Sequence, residues 1–439
     1  MKKVNNFSAF IKKYSSDDFL RLHTPGHQGR CQFINNISPL DDITEISGSD
    51  SLYHSSGIIK DLEDQISKLY QSQSLISAGG STLCIQTMLA LFRGKKFIAM
   101  RSSHISFYNT CALLGISPVW IGPSFLGFPC KNQLAKELES ALVSTGEPSV
   151  VYITSPNYCG ISVNISKISQ ICKKYNAILM VDNAHGAHLK FTPQDIHPIS
   201  LGADICCDSF HKTLPTLTGA AVLHFKPGLV DRHEAKHIMS MFGSTSPSYM
   251  IMSSIALCVD WLKSEAKLKF QKLQQKKDGV VKNLHIDILE TDCSKLTIDA
   301  QNIKNGAENV AKLLRSDKIE PEYVGLRYLT MVLSPFLSEA DWNRIENCLR
   351  KIQININNND HIEDEHFPPP KVKISPKQAF WSKSKRVEIK KSAGRIASKC
   401  QWICPPGVPI VAAGELITPE IVELLAKNKI KYIDVVKNI

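Results

Sequence analysis

Between Leu75 and Gly219, short apolar runs alternate with stretches of helical spacing, and nearly every run ends in a cluster of small or polar residues. Leu75-Ile-Ser-Ala runs into Gly79-Gly-Ser-Thr82 and then a helix through Ile85, Met88, Leu89 and Phe92. The strand Lys96 to Met100 ends at Arg101-Ser-Ser-His104, with a helix from about Ser106. Pro118 to Ile121 and an acidic helix near 134–143 follow. Ser149 to Ser155 then ends in Pro156-Asn-Tyr158-Cys-Gly160. A helix over 165–175 leads to the strand Ala177 to Asp182, and the run Ile205 to Cys207 leads into Ser209-Phe-His-Lys212. Strands alternating with helices impose a mostly parallel sheet with right-handed crossovers. Ligands of such sheets sit beyond the carboxyl ends of the strands, which is where these polar clusters fall. The fold class expected is α/β, with a smaller α+β domain toward the C-terminus.

A chain of 439 residues exceeds one simple core. The pattern divides it into an N-terminal arm and loops (1–57), a large domain (58–279), a small α+β domain (280–354), a polar Pro-terminated linker (355–370) and a C-terminal segment (371–439). Residues 1 to about 20 have the pattern of a polar amphipathic helix. Ile58, Leu62, Ile66 and Leu69 recur at helical spacing and predict a helix buried along that stripe. The loops Arg21–Gly29 and Asp41–Gly57 are dense in His, Pro, Gly and polar side chains, and long ordered loops of this kind tend to carry function.

The net charge of +11 is spread along the chain with no basic run interleaved with aromatics. This speaks against a nucleic-acid partner and for attraction of a small anion. Thirteen cysteines are scattered, many in apolar runs, and the pairs Cys206/Cys207 and Cys400/Cys404 lack the second pair and histidines of a zinc site. No metal is expected. Without a hydrophobic signal core or a membrane-length apolar run, the expectation is a reduced, cytoplasmic enzyme with no membrane partner.

Lys212 follows a buried strand, where an ammonium is costly to desolvate. Either it reaches water or it becomes a usable amine nucleophile. Asp182 ends a strand that reads as buried on both faces. It either caps the next turn or faces a cation, and the protonated ring nitrogen of pyridoxal phosphate (PLP) is such a cation. Strand alternation puts Ala184 on the side of Asp182, small enough to lie under a flat ring, with His185 at the ring's phenolic oxygen. Gly80-Ser81-Thr82 offers N–H groups and hydroxyls to a phosphate, or is a plain N-cap. Ser209 and His211 flank the lysine and add phosphate contacts. His104 either stacks on the opposite ring face or is a turn residue. Lys212 would bond the cofactor's aldehyde carbon.

The order of these elements is that of the fold-type I, aspartate aminotransferase-like PLP enzymes. Several runs resemble one family more closely: Leu22-His-Thr-Pro-Gly-His27, Asp42-Ile-Thr-Glu-Ile-Ser-Gly48, Val181-Asp-Asn-Ala-His-Gly-Ala-His188, Ser209-Phe-His-Lys-Thr-Leu-Pro215, Ser244-Thr-Ser-Pro-Ser-Tyr249, Lys295-Leu-Thr-Ile298, Gly394-Arg-Ile396 and Pro405-Pro-Gly-Val-Pro409. Together they are similar to the prokaryotic ornithine/lysine/arginine decarboxylases over roughly residues 20–425, in a short form without the N-terminal wing domain. The resemblance implies Lys212 as the cofactor lysine, Asp182 as partner of the ring nitrogen and His104 as the stacking residue. It implies Ser81, Thr82, Ser209 and His211 at the phosphate, His185 at the ring edge, and Glu415 near the substrate, with Arg395 a weaker candidate there. The chain departs from the family at Asn183, where Glu is usual, and at Gly79, Cys84, Cys159 and Cys404. The implied function is decarboxylation of lysine, arginine or ornithine by a homodimer in polyamine metabolism. Another PLP reaction on the same fold, an aminotransferase or lyase, and a catalytically drifted binding homologue are the alternatives.

Overall fold

A computed structural model describes residues 6–122, 133–353, 367–403 and 406–437; Cys404 and most of the expected linker lie outside them. At its centre is a seven-stranded sheet in the order Gln73–Ser77, Ala221–Phe225, Ile205–Asp208, Ile178–Asp182, Ser149–Thr154, Lys96–Met100, Val119–Ile121. Pairing is parallel from Ile205–Asp208 across to Val119–Ile121, and only Ala221–Phe225 runs antiparallel to its neighbours. The inner strands read as unbroken apolar runs because both faces are covered. Val150, Tyr152, Met180 and Cys207 enter one core; Val151, Ile153, Leu179, Val181 and Cys206 enter the other. Asp182 continues the first set, so its carboxylate emerges on the Tyr152 face.

The chain from 295 to 332 forms a three-stranded antiparallel sheet of Tyr323–Val324, Tyr328–Val332 and Lys295–Asp299, with helices Gly306–Ser316 and Glu339–Gln353. The N-terminal segment is stitched to this unit. After the helix Asn6–Ser16, the strand Leu20–Leu22 pairs in parallel with Ile319–Pro321. Gln28 then donates to the carbonyl of Val332 at 2.9 Å. The C-terminal segment packs Val408, Ile410 and Val435 into a core shared with Cys159, Tyr323 and Tyr328. Every cysteine among the described residues is free, and all but Cys400 are buried. None of the described helices is long and apolar enough to cross a membrane.

The helix expected from Ile58 is present as Ile58–Tyr70, but its buried stripe is Ile59, Glu63, Ile66 and Tyr70, and Ile58 is 59% exposed. The one-residue rotation brings a carboxylate into the core, which apolar spacing cannot show. Glu63 accepts from the Ile76 amide at 3.0 Å and pairs with Arg232 at 2.8 Å and Lys236 at 2.9 Å. The Asp41–Gly57 loop owes its order to Asp50, whose carboxylate accepts from the amides of Ser51, Ser56, Gly57 and Ile59 at 2.9–3.1 Å. It thereby caps the helix start from seven residues upstream. Removing the Glu63 charge leaves the buried Lys236 ammonium with the Leu52 carbonyl and the Ser55 hydroxyl but no carboxylate. Glu63→Gln should therefore lower stability by about 3 kcal/mol, read as a fall in chemical-denaturation midpoint, with Gln65→Ala on the same helix near neutral.

Candidate active site

The parallel strands deliver their carboxyl ends to one cavity of about 350 Å³. It is lined by Gly80, Ser81 and Thr82, by His104, by Asp182, Ala184 and His185, by Ser209, His211 and Lys212, and also by Thr24, Tyr158 and Glu322. Nine residues expected as cofactor contacts thus line one space. Glu415 and Arg395 do not line it.

Asp182 is 2% exposed. It accepts from the Tyr152 hydroxyl at 3.2 Å and the Ala184 amide at 3.2 Å, with Cys207 Sγ at 3.7 Å. It forms none of the ion pairs among the described residues. Ala184 reaches the cavity through this Asp182-anchored turn, the strand having ended at Asp182, and not by the strand alternation expected. Behind it, Asn183 donates to Asp208 Oδ1 at 2.7 Å, and Asp208 is also held by His197 at 3.0 Å. Burial alone would raise the Asp208 carboxyl, but His197 and His224 outweigh it and hold it well below the carboxylate range. Asn183 therefore has a structural reason in this chain, since a glutamate there would set a second carboxylate against Asp208.

Lys212 lies in the short helix Phe210–Thr213, one turn beyond the strand, with Nζ 3.0 Å from His185 Nε2. Burial lowers its proton affinity, with Lys295 acting in the same direction and Asp182 against it. His104 caps the helix Ile105–Leu114. Its Nδ1 accepts from the Ser106 amide at 3.2 Å and lies 2.8 Å from the Ser106 hydroxyl, which fixes the ring plane. Burial, then Lys212, pushes His104 down to about 4. Gly407 backs this ring: a Cβ there would stand 2.7 Å from the imidazole, at a φ of +78°. The Gly407 carbonyl also accepts from the Ile105 amide at 2.7 Å. The Pro-Gly-Val-Pro motif thus presses on the histidine from behind.

At the other end of the cavity the helix Gly80–Leu91 begins without a side-chain cap, leaving first-turn N–H groups for an anion. The Ser81 and Ser209 hydroxyls meet at 2.6 Å. His211 Nδ1 donates to the Ala220 carbonyl at 2.9 Å, leaving Nε2 as its free end, and burial pushes it down to about 4.

Sequence reasoning missed two polar residues that complete the site. Lys295, fully buried, lies 3.2 Å from His185 Nδ1. Glu322 accepts from the Thr24 amide at 2.7 Å and the Tyr158 hydroxyl at 2.6 Å. A lysine opening an apolar strand was a signal for the first; nothing local marks the second. Glu415 instead pairs with buried Arg101 at 3.0 Å and accepts from the Ala412 amide at 2.7 Å. Arg395 is held by backbone bonds to Ser392 and Ile417.

The donor set fits PLP. A buried carboxylate without a cation suits a protonated ring nitrogen, an uncapped helix start suits the phosphate, and an amine of lowered proton affinity suits the aldehyde. Fold and site define a PLP-dependent enzyme of fold type I. Among solved structures the chain is similar to the Francisella novicida lysine decarboxylase (TM-score 0.74, 19% identity, 97% of this chain and 80% of that one). It is also similar to a Sphingomonas wittichii serine palmitoyltransferase (TM-score 0.61, 13% identity, 76% and 87%). The model of the Orn/Lys/Arg decarboxylase major domain matches residues 6–285, and that of the family's C-terminal domain matches 361–438. The chain belongs to the Orn/Lys/Arg decarboxylase family and is a PLP-dependent amino-acid decarboxylase. It is 26% identical over 452 residues to the arginine decarboxylase of Bacillus subtilis, covering 95% of this chain and 92% of that protein.

Asn183→Asp tests the wall behind Asp182. It replaces a donor by a like charge beside Asp208 and should cost about 3 kcal/mol at neutral pH. The loss should narrow in acid, where the new carboxyl regains a proton to donate, as followed by thermal melts across pH.

Proposed function

We propose that the chain removes the α-carboxylate of a basic amino acid as CO₂, leaving the corresponding amine. The observation that carries this is the placement of Lys212, Asp182 and the start of the helix Gly80–Leu91 around one cavity. PLP, when bound, supplies an electron sink for the bond that breaks at the α-carbon. Lys212, an amine of lowered proton affinity on the cavity wall, would hold the cofactor through its aldehyde carbon. Asp182, its oxygens oriented by Tyr152 and the Ala184 amide, would keep the ring nitrogen protonated. Ala184 and His104 line the cavity and would bound a flat ring, with His185 beside them for its edge. Ser81, Thr82, Ser209 and His211 hold the phosphate; a dianion at His211 Nε2 favours a proton there and makes that nitrogen a donor. Hydroxyl, amide and helix-dipole contacts at that end orient the ring without competing for the carboxylate.

Arginine heads the substrate panel because a relative similar over nearly the whole chain carries that name, with lysine and ornithine beside it. An aminotransferase should clamp the α-carboxylate with an arginine. Among the described residues lining the cavity there is none, since Arg101 is engaged by Glu415 and Tyr108 and Arg395 lies elsewhere. A homodimer belongs to the same reading and is checked by sedimentation.

Purified protein should show the visible absorption of lysine-bound cofactor and release CO₂ from one of the three amino acids. Lys212→Ala should lose the band and at least about a thousandfold in rate, as expected when covalent catalysis is removed. Survival of the band in Lys212→Ala, or keto-acid formation without CO₂, would contradict this function.

A further inference from the structure

His185 stands between two lysines. Its Nε2 is 3.0 Å from Lys212 Nζ, and its Nδ1 is 3.2 Å from Lys295 Nζ. Lys295 opens the strand Lys295–Asp299, is fully buried and does not line the cavity, so it reaches the site through the imidazole. Burial, reinforced by Lys212 and Lys295, pushes His185 well below the usual histidine range and keeps the ring neutral. A neutral imidazole has one N–H and one lone pair and cannot accept from both amines. One lysine must donate and the other accept, and the accepting lysine is uncharged.

The surroundings decide which. Lys295 Nζ stands over the Tyr158 ring at 5.7 Å, a cation–π placement. The Tyr158 hydroxyl donates to Glu322. Glu322 and Asp292 both favour a charge on Lys295, against the cost of its burial. Lys212 is favoured as a cation by Asp182 and Glu322 but opposed by Lys295, and its Nζ makes its hydrogen-bond contact with the imidazole. The charge is better placed on Lys295.

We propose that Lys295 is a positioning residue that donates to Nδ1 of His185, holds the imidazole as the Nε2–H tautomer, and keeps Lys212 a free amine with a proton in reserve one ring away. It rests on the reading of Lys212 as the cofactor lysine. The transfer balances. Nε2 gives its proton to Lys212 Nζ, Nδ1 takes one from the Lys295 ammonium, and the ring ends neutral in the other tautomer. One positive charge has moved from Lys295 to Lys212, and nothing is oxidised.

The visible absorption of the holoenzyme, titrated with pH, reads protonation at Lys212 Nζ. Lys295→Met removes the opposing charge and frees the tautomer, so the midpoint should move up by about one pH unit, a tenfold gain in proton affinity. Lys295→Arg keeps the cation and should stay close to wild type. An unchanged midpoint in Lys295→Met overturns the proposal. Should that variant fail to fold, ¹⁵N spectra of histidine-labelled wild-type holoenzyme give the tautomer directly, the His185 signals being assigned by their loss in His185→Asn. A proton on Nε2 with bare Nδ1 is expected; a proton on Nδ1, or on both, overturns it. A visible band surviving in Lys212→Ala would instead sink the assignment of the cofactor lysine, a result distinguishable from either failure.

Discussion

The site depends on one unbalanced charge. Asp182 is buried at the end of an inner strand, where an isolated carboxylate costs several kcal/mol, and its contacts are a phenol, an amide and a thiol. These neutral donors orient it without neutralising it. They come from sheet register: Thr154 and Cys207 are its lateral partners on the two adjacent strands, and Tyr152 lies on the same face two residues before Thr154. A group entering the cavity with a proton on a ring nitrogen would give this carboxylate the cation that it lacks among the described residues.

Rigidity behind the cavity comes from a different part of the chain. Arg101, just past the strand Lys96–Met100, is buried against Tyr108 and the C-terminal residue Glu415. Four residues before that glutamate the strand Val408–Val411 ends, and Gly407 precedes it against the His104 ring. The ion pair and the glycine contact therefore work together. One ties the C-terminal segment to a central strand end, and the other uses that attachment to fix an imidazole plane.

The contiguous parts of this arrangement were legible in the sequence. Asp182 through His185 and Ser209 through Lys212 sit at strand ends, and parallel topology sends all such ends to one edge. What escaped was the part assembled across long chain separations. Glu322 meets Tyr158 and Thr24 only because the N-terminal strand pairs with Ile319–Pro321, and Lys295 meets His185 only because its unit packs against the Tyr158 loop. Glu415, which the family resemblance implied near the substrate, does not line the cavity and is turned to a buried arginine 314 positions away. The stripe of the helix Ile58–Tyr70 was misplaced by one residue because its most buried polar member, Glu63, is paired in space and invisible to apolar periodicity.

The charges of the site bear on one another. With Lys295 cationic and Lys212, His104 and His185 neutral, Asp182 and Glu322 leave the ring end of the cavity with an excess of one negative charge. A protonated ring nitrogen cancels it. If both lysines were ammonium, that end would already be neutral, and the same ring would enter against a cation at the atom it must bond. At an effective dielectric of about 20, a unit charge at 4 Å is worth about 4 kcal/mol, enough to decide between these states. On the proposed reading two lysines share one imidazole at a site with room for a single ammonium, and Lys295, buried beyond the cavity wall, carries it in place of Lys212.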